Sequence, residues 1–184
     1  MKSMKRKSKT PAKESKLSNS ELCKAIKKKS NIEDARIISP SDVETAVWVR
    51  LKCQFGCGGY GRSLVCPPYT PTAQQTREVL DSYSRAVLIH FTEEARVKAT
   101  IVELERDFFL RGAWKVFGIG AGSCSLCKEC NLEQQQCRNS HHARPAMEAC
   151  GIDVFSTVKK AGLPIEVVRT KSQCPNFYGL ILID

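Results

Sequence analysis

Apolar side chains recur at helical intervals in one long stretch of the chain and alternate or cluster in several short ones. Val97, Ile101, Leu104, Phe108 and Phe109 repeat every three or four residues with charges between them. That spacing predicts a helix over 93–111, ended by Gly112. Residues 72–82 predict a second helix, with Thr72 as its cap after Pro71. Residues 20–29 predict a third, with Ser20 at its start and lysines in the last turn, where the helix dipole favours them. Two short helices are expected over 145–150 and 153–161, the second stopped by Gly162 with Pro164 beyond. Residues 45–52 (TAVWVRLK) alternate and are rich in β-branched side chains, which predicts a strand running into Cys53. Residues 35–38 are a short apolar segment stopped by Ser39-Pro40. Residues 85–91 (RAVLIHF) read as a buried strand, and 113–119 as a strand entering the turn Gly118-Ile119-Gly120-Ala121-Gly122. Residues 164–169 and 177–183 read as closing strands. This mixed order predicts an α/β or α+β fold: a single mixed sheet with helices packed on it and Cys-rich, cluster-binding loops. Trp48, Trp114, Phe108, Phe109 and Phe117 are the aromatic core candidates. No internal repeat is visible.

Charge divides the chain in two. The 184 residues carry a net charge of +10, yet residues 1–30 alone hold eleven Lys or Arg against Glu14 and Glu21. The remainder holds 18 basic and 17 acidic side chains, so the body is close to neutral. Residues 1–18 are Lys/Ser-rich with almost nothing apolar, and are expected to be a disordered basic tail. Residues 19–184 are expected to form a single cysteine-rich metal-binding domain. Nucleic-acid binding is not expected beyond weak attraction of polyanions by the tail. No run of about 18 apolar residues occurs, so no membrane span is expected. No apolar stretch follows the first basic residues, so no secretory signal is expected and the setting is read as cytoplasmic.

Ten cysteines change this plain picture. They fit either a secreted disulfide scaffold or an intracellular metal protein. The spacing favours the second, because Cys124-Ser-Leu-Cys127-Lys-Glu-Cys130 aims three thiols at one point, with Cys137 following. A cubane iron–sulfur cluster needs four such ligands, and two-residue gaps let one turning backbone supply three of them. In bacterial ferredoxins the run ends CxxxCP and its fourth cysteine serves another cluster. Here Cys137 is followed by Arg138, so the match is to the triplet alone. Gly118, Gly120 and Gly122 are expected to let backbone amides approach the sulfide atoms as a cradle. Zinc is the alternative, since it also uses four cysteines, but it favours separated CxxC pairs.

Cys53, Cys57 and Cys66 form a second set, in a loop with Gly56, Gly58, Gly59 and Gly61 and ending Cys66-Pro67-Pro68. They make either a second site or, through Cys66, the fourth ligand of the triplet. The spacing is not the CxxxCxxC of radical S-adenosylmethionine enzymes. Cys150 is read as a small buried hydrophobe. Cys174-Pro175 is a candidate distant ligand, and Cys23 is read as free. His141 and His142, with Tyr60, Arg62, Arg138, Arg144 and Glu148, flank the cysteine loops. Each is either an ordinary solvated or ion-paired side chain or a group that serves the site by holding an anionic substrate or giving a proton. No Walker loop, nucleophile elbow, HExxH or GxGxxG after a strand is present, and no catalytic residue is assigned.

With these residues in view, the chain resembles a family of short, cysteine-rich predicted metal-binding proteins of unassigned function, found largely in anaerobic bacteria and archaea. The resemblance rests on Cys53-x3-Cys57, Tyr60-Gly61 through Cys66-Pro67-Pro68, and Gly122-Ser-Cys124-x2-Cys127-x2-Cys130. It continues through Cys137-Arg138, Arg144-Pro145-Ala146-Met147-Glu148-Ala149 and Gly151-Ile152-Asp153-Val154. The family usually has Ser where this chain has Ala146. The resemblance covers roughly residues 20–184 and implies Cys53, Cys57, Cys66, Cys124, Cys127, Cys130 and Cys137 as metal ligands. The leading expectation is a [4Fe–4S] protein, with one cluster or two, that relays electrons or senses redox state for a partner protein. The rivals are an enzyme with an open, three-cysteine cluster acting as a Lewis acid or sulfur acceptor, and a zinc-stabilised interaction module.

Overall fold

Arg85–Phe91 (β2) and Phe177–Ile183 (β4) pair antiparallel from Arg85 opposite Ile183 to Phe91 opposite Phe177. After the first residue of each, every residue of both strands is buried. Strands that are apolar on both faces need cover on both faces, and the computed structural model, which describes residues 17–170, 173 and 176–184, supplies it. Ile32–Ile38 (β1) pairs antiparallel with β2, and Val116–Ile119 (β3) pairs antiparallel with β4. The sheet order is therefore β1-β2-β4-β3.

One face is covered by helices Asn19–Lys27 (α1) and Glu94–Leu110 (α4). Leu22 and Ile26 of α1 and Val97, Ile101, Leu104 and Phe108 of α4 pack there on Val87, Ile89, Phe91, Ile181 and Ile183. The opposite face carries Ala73–Asp81 (α3) and Val154–Lys160 (α5), with the 3-10 turn Glu148–Cys150. Leu80, Met147, Ile152 and Val158 pack there on Ala86, Leu88, Leu180 and Leu182. Alternate residues of β2 and β4 thus serve two separate cores. The class is α+β. The sheet expected to be mixed is antiparallel among its named strands, and its one parallel pairing is an isolated bridge from Gly120 to Ala146.

Three of the predicted elements form differently. Residues 45–52 are not a strand: Thr45 makes a lone bridge to Ile152, and Val49–Gly56 then coils as helix α2. Alternation and β-branching describe fit to a pleated, half-buried surface. Here Val47, Trp48 and Leu51 meet no such surface and stay exposed. Residues 164–169 form no strand among the described residues, and Val167 and Val168 are exposed. Helix α1 is capped by Ser18, not Ser20. The Ser18 hydroxyl accepts from the Glu21 amide while the Glu21 carboxylate accepts from the Ser18 amide, so Glu21 selects the cap three residues before it. Leu17, placed in the tail by composition, is 6 % exposed and joins the α1 core. Residues 1–16, the rest of that tail, lie outside the described residues. Thr72 caps α3 as expected, in a capping box with Gln75. Of the five aromatic core candidates only Phe108 is buried. Trp48, Phe109, Trp114 and Phe117 are exposed, Trp48 beneath the Lys52 ammonium and Phe117 beneath the Arg144 guanidinium.

Among the described residues no helix is long and apolar enough to cross a membrane. Leu180 is fully buried at the centre of the core on the α3/α5 face. Leu180→Ala should lower the free energy of unfolding by about 2–5 kcal/mol in a urea titration.

Candidate metal centre

Both cysteine groups lie in the segments that leave and re-enter the sheet beside α4. The loop that carries the triplet starts at Gly120, the end of β3, and its return is fixed to the same residue. The Gly120 amide donates to the Pro145 carbonyl (2.8 Å), and the Met147 amide donates to the Gly120 carbonyl (3.0 Å). Beside that junction the Arg144 guanidinium grips the Glu105 carboxylate of α4 with two hydrogen bonds, of 2.8 and 2.6 Å. Both side chains are largely buried, which makes this forked pair a strong clamp. At the outgoing end the Lys98 ammonium, also from α4, donates to the Gly122 carbonyl (2.7 Å). The loop thus has both ends tied to one helix.

Between those ties Cys124, Cys127, Cys130 and Cys137 line one hollow of about 100 Å³. Its other wall is Arg62, Ser63, Leu64 and Val65, from the first cysteine segment. Two of the sulfurs already accept hydrogen bonds: Asn139 Nδ2 donates to Cys127 Sγ (3.0 Å) and the Leu64 amide to Cys130 Sγ (3.4 Å). Arg138 donates to the Glu129 carbonyl (3.1 Å) and braces the turn between them.

Cys53, Cys57 and Cys66 form the second group. Cys53 belongs to the last turn of α2 and Cys57 is its C-cap. The Gly59 amide donates to Cys57 Sγ (3.4 Å), and a side chain at Gly59 would touch both Cys57 Sγ and Cys66 Sγ. The Cys53 thiol points to the Glu148 carbonyl at 4.0 Å. Burial pushes the Cys53 thiol up, and the neighbouring Cys57 and the Glu148 carboxylate add to the effect. Burial also pushes the Cys66 thiol up, against the pull of the Lys98 ammonium. Among the described residues no three His, Cys, Asp or Glu side chains stand close enough together to hold a single metal ion.

Residues 36–183 match the family model described as predicted metal-binding protein (DUF2284). The chain belongs to this family. No curated protein and no solved structure matches it.

In this DUF2284 member the sequence-predicted thiols form two neighbouring groups. The four thiols of 124–137 come together around one hollow. Cys53, Cys57 and Cys66 come together beside it; Cys66 is not part of the hollow's lining, yet its thiol interacts with those of Cys124 and Cys130. Cys150 is 3 % exposed in the α3/α5 core, and its burial pushes the thiol up to about 12, as suits an inert packing residue. Cys23 is a free thiol on α1, and Cys174 lies outside the described residues. His141 and His142 are exposed and line a broad groove, of about 1170 Å³, that runs from Cys124 along α4.

The expected glycine cradle is corrected at Gly118 and Gly120. The Gly118 amide donates to Glu105 (2.7 Å) and the Gly120 amide to Pro145, so neither is left for a cluster. What demands glycine at 118 and 120 is the approach of α4. A Cβ at Gly118 would overlap the Ile101 side chain, and one at Gly120 would come within 2.7 Å of Lys98 Cγ. Gly122 has φ +73°, a left-handed conformation that favours glycine.

Three residues that matter here escaped sequence reasoning. Lys98 and Glu105 looked like ordinary charges on the polar side of a helix, and nothing local marks them as loop anchors. Asn139 had a signal, an amide two residues past Cys137, but only the fold shows which sulfur it meets. Gly118→Ala should lower the unfolding free energy by about 1–3 kcal/mol through overpacking against Ile101. Thermal denaturation of the metal-free protein would register the loss, whereas a residue needed only as a cluster cradle would leave metal-free stability unchanged.

Proposed function

We propose that this protein is an iron–sulfur protein that passes electrons, or reports redox state, to a partner, with Cys124, Cys127, Cys130 and Cys137 as the ligands of a [4Fe–4S] cluster. The observation that carries the reading is the ring of four thiols around one hollow. A single zinc ion requires all its sulfurs at about 2.3 Å from one point. A cubane spreads them, one thiolate per iron, around a larger inorganic body; here four thiols line one hollow, and among the described residues no three ligand side chains stand close enough for a single ion. The hydrogen bonds from Asn139 and Leu64 to two of the sulfurs are of the kind that stabilise thiolate charge and raise a cluster's potential.

The bound cluster would supply one-electron chemistry. The chain's own residues shape the rest: Arg138 braces the turn, and Lys98, Glu105 and Arg144 hold the loop ends. The exposed Trp48, Leu51 and Phe55 of α2 flank Cys53 and Cys57 and give a redox partner an apolar landing surface. We also infer a cytoplasmic setting, because such thiols persist in reducing compartments. A second reading is favoured by one feature. The 53–66 group has three thiols, which would leave one iron of a cluster there open to a substrate as a Lewis acid or sulfur acceptor.

Serine substitution in the triplet is the test. Anaerobically reconstituted wild type should be brown, and Cys127→Ser or Cys130→Ser should lose at least half of the charge-transfer absorbance near the visible blue, while Cys150→Ser keeps it. Equal absorbance in all variants would contradict the assignment. A three-iron EPR signal on mild oxidation that vanishes in Cys57→Ser would support the open-site enzyme instead.

A further inference from the structure

The two cysteine groups are neighbours across a single thin wall. Residues 62–65 line the four-thiol hollow, and the Leu64 amide bonds to Cys130 Sγ. Cys66, two residues after Leu64, flanks Gly59 together with Cys57 Sγ, and its thiol also interacts with those of Cys124 and Cys130. One short segment therefore presents a backbone donor to the four-thiol group and, in Cys66, a thiol that adjoins Cys57 and interacts with both groups.

Lys98 stands at the junction. Its stem is pressed against Gly120 and its ammonium is tied to the Gly122 carbonyl, two residues before Cys124. The ammonium interacts with the thiols of both Cys124 and Cys66, and with the carboxylates of Glu94 and Glu148. A half-buried cation held between two thiol groups by a helix on one side and a carbonyl on the other is in place to neutralise negative charge on both. Thiolate-bound clusters are anionic, and a fixed positive charge beside one favours its reduced form.

We propose that the protein holds two metal centres that share the 62–66 wall, with Lys98 as the common cation that sets the reduction potentials of both. The inference rests on the iron–sulfur reading and adds two things to it: the number of centres, and a tuning residue outside either cysteine motif.

The test uses full-length protein reconstituted anaerobically with iron and sulfide, with EPR-monitored redox titration of wild type, Lys98→Met and Glu94→Gln. Lys98→Met keeps the stem against Gly120 and removes the charge. Wild type should hold about eight irons, as two four-iron clusters require, and its two reduced signals should broaden each other. Lys98→Met should move both potentials to more negative values. Glu94→Gln, which removes a negative charge beside Lys98, should move both the opposite way, and it carries the test if Lys98→Met does not load. About four irons per chain would overturn the two-centre proposal and leave the iron–sulfur reading standing. Eight irons with only one potential shifted, or neither, would overturn the role of Lys98. A wild type that takes up no iron would overturn the iron–sulfur reading itself, and the inference with it.

Discussion

Helix α4 lies so close over β3 and the segment beyond it that glycine is required where they cross. Gly118 faces Ile101 and Glu105, Gly120 faces Lys98, and Gly122 faces Glu94. Strand residues of one parity meet helix residues spaced by three or four, because a strand turns a side chain to the same face every second residue and a helix every three or four. This close contact brings the polar ends of Lys98 and Glu105 within reach of the loop that follows. Lys98 holds the Gly122 carbonyl, and Glu105 holds the Gly118 amide and the Arg144 guanidinium. A segment of more than twenty residues with no strand or α-helix of its own, closed at both ends in this way, gives its four cysteines a defined enclosure. Without the closure its thiols would have to be gathered at the entropic cost of ordering the whole loop.

The same contact explains a motif outside the cysteines. Arg144-Pro145-Ala146-Met147 is a fold element: Arg144 clamps Glu105, Pro145 and Met147 bracket Gly120, and Met147 is fully buried. Ala146 makes the parallel bridge to Gly120. Together these residues set where the loop ends, and so where Cys137 returns to the triplet.

How much of this was legible in the sequence depended on the range of the signal. Strands 85–91 and 177–183 and the helix over 93–111 were plain, because burial of a whole strand or of one helix face leaves a local apolar pattern. The sheet's antiparallel order was not, since pairing is a long-range choice. In residues 45–52 alternation does not report a strand, because the apolar side chains Val47, Trp48 and Leu51 stay exposed and meet no pleated surface. The cysteine groups were legible through spacing, and the family match over residues 36–183 agrees with a metal-binding reading. At Gly118 and Gly120 an amide cradle and a helix-packing track leave the same sequence mark, and the packing is what the fold uses. Lys98, Glu105 and Asn139 were invisible as partners: their contacts span between 12 and 39 residues.

The proposed inorganic cluster would be enclosed by thiols that α4 and the 62–66 wall hold in place. Elemental analysis of protein purified without oxygen decides this most directly, with iron, zinc and acid-labile sulfide counted per chain. Iron and sulfide in equal amounts, with zinc far below one atom per chain, are the predicted result. A colourless protein carrying zinc and no sulfide would contradict the account.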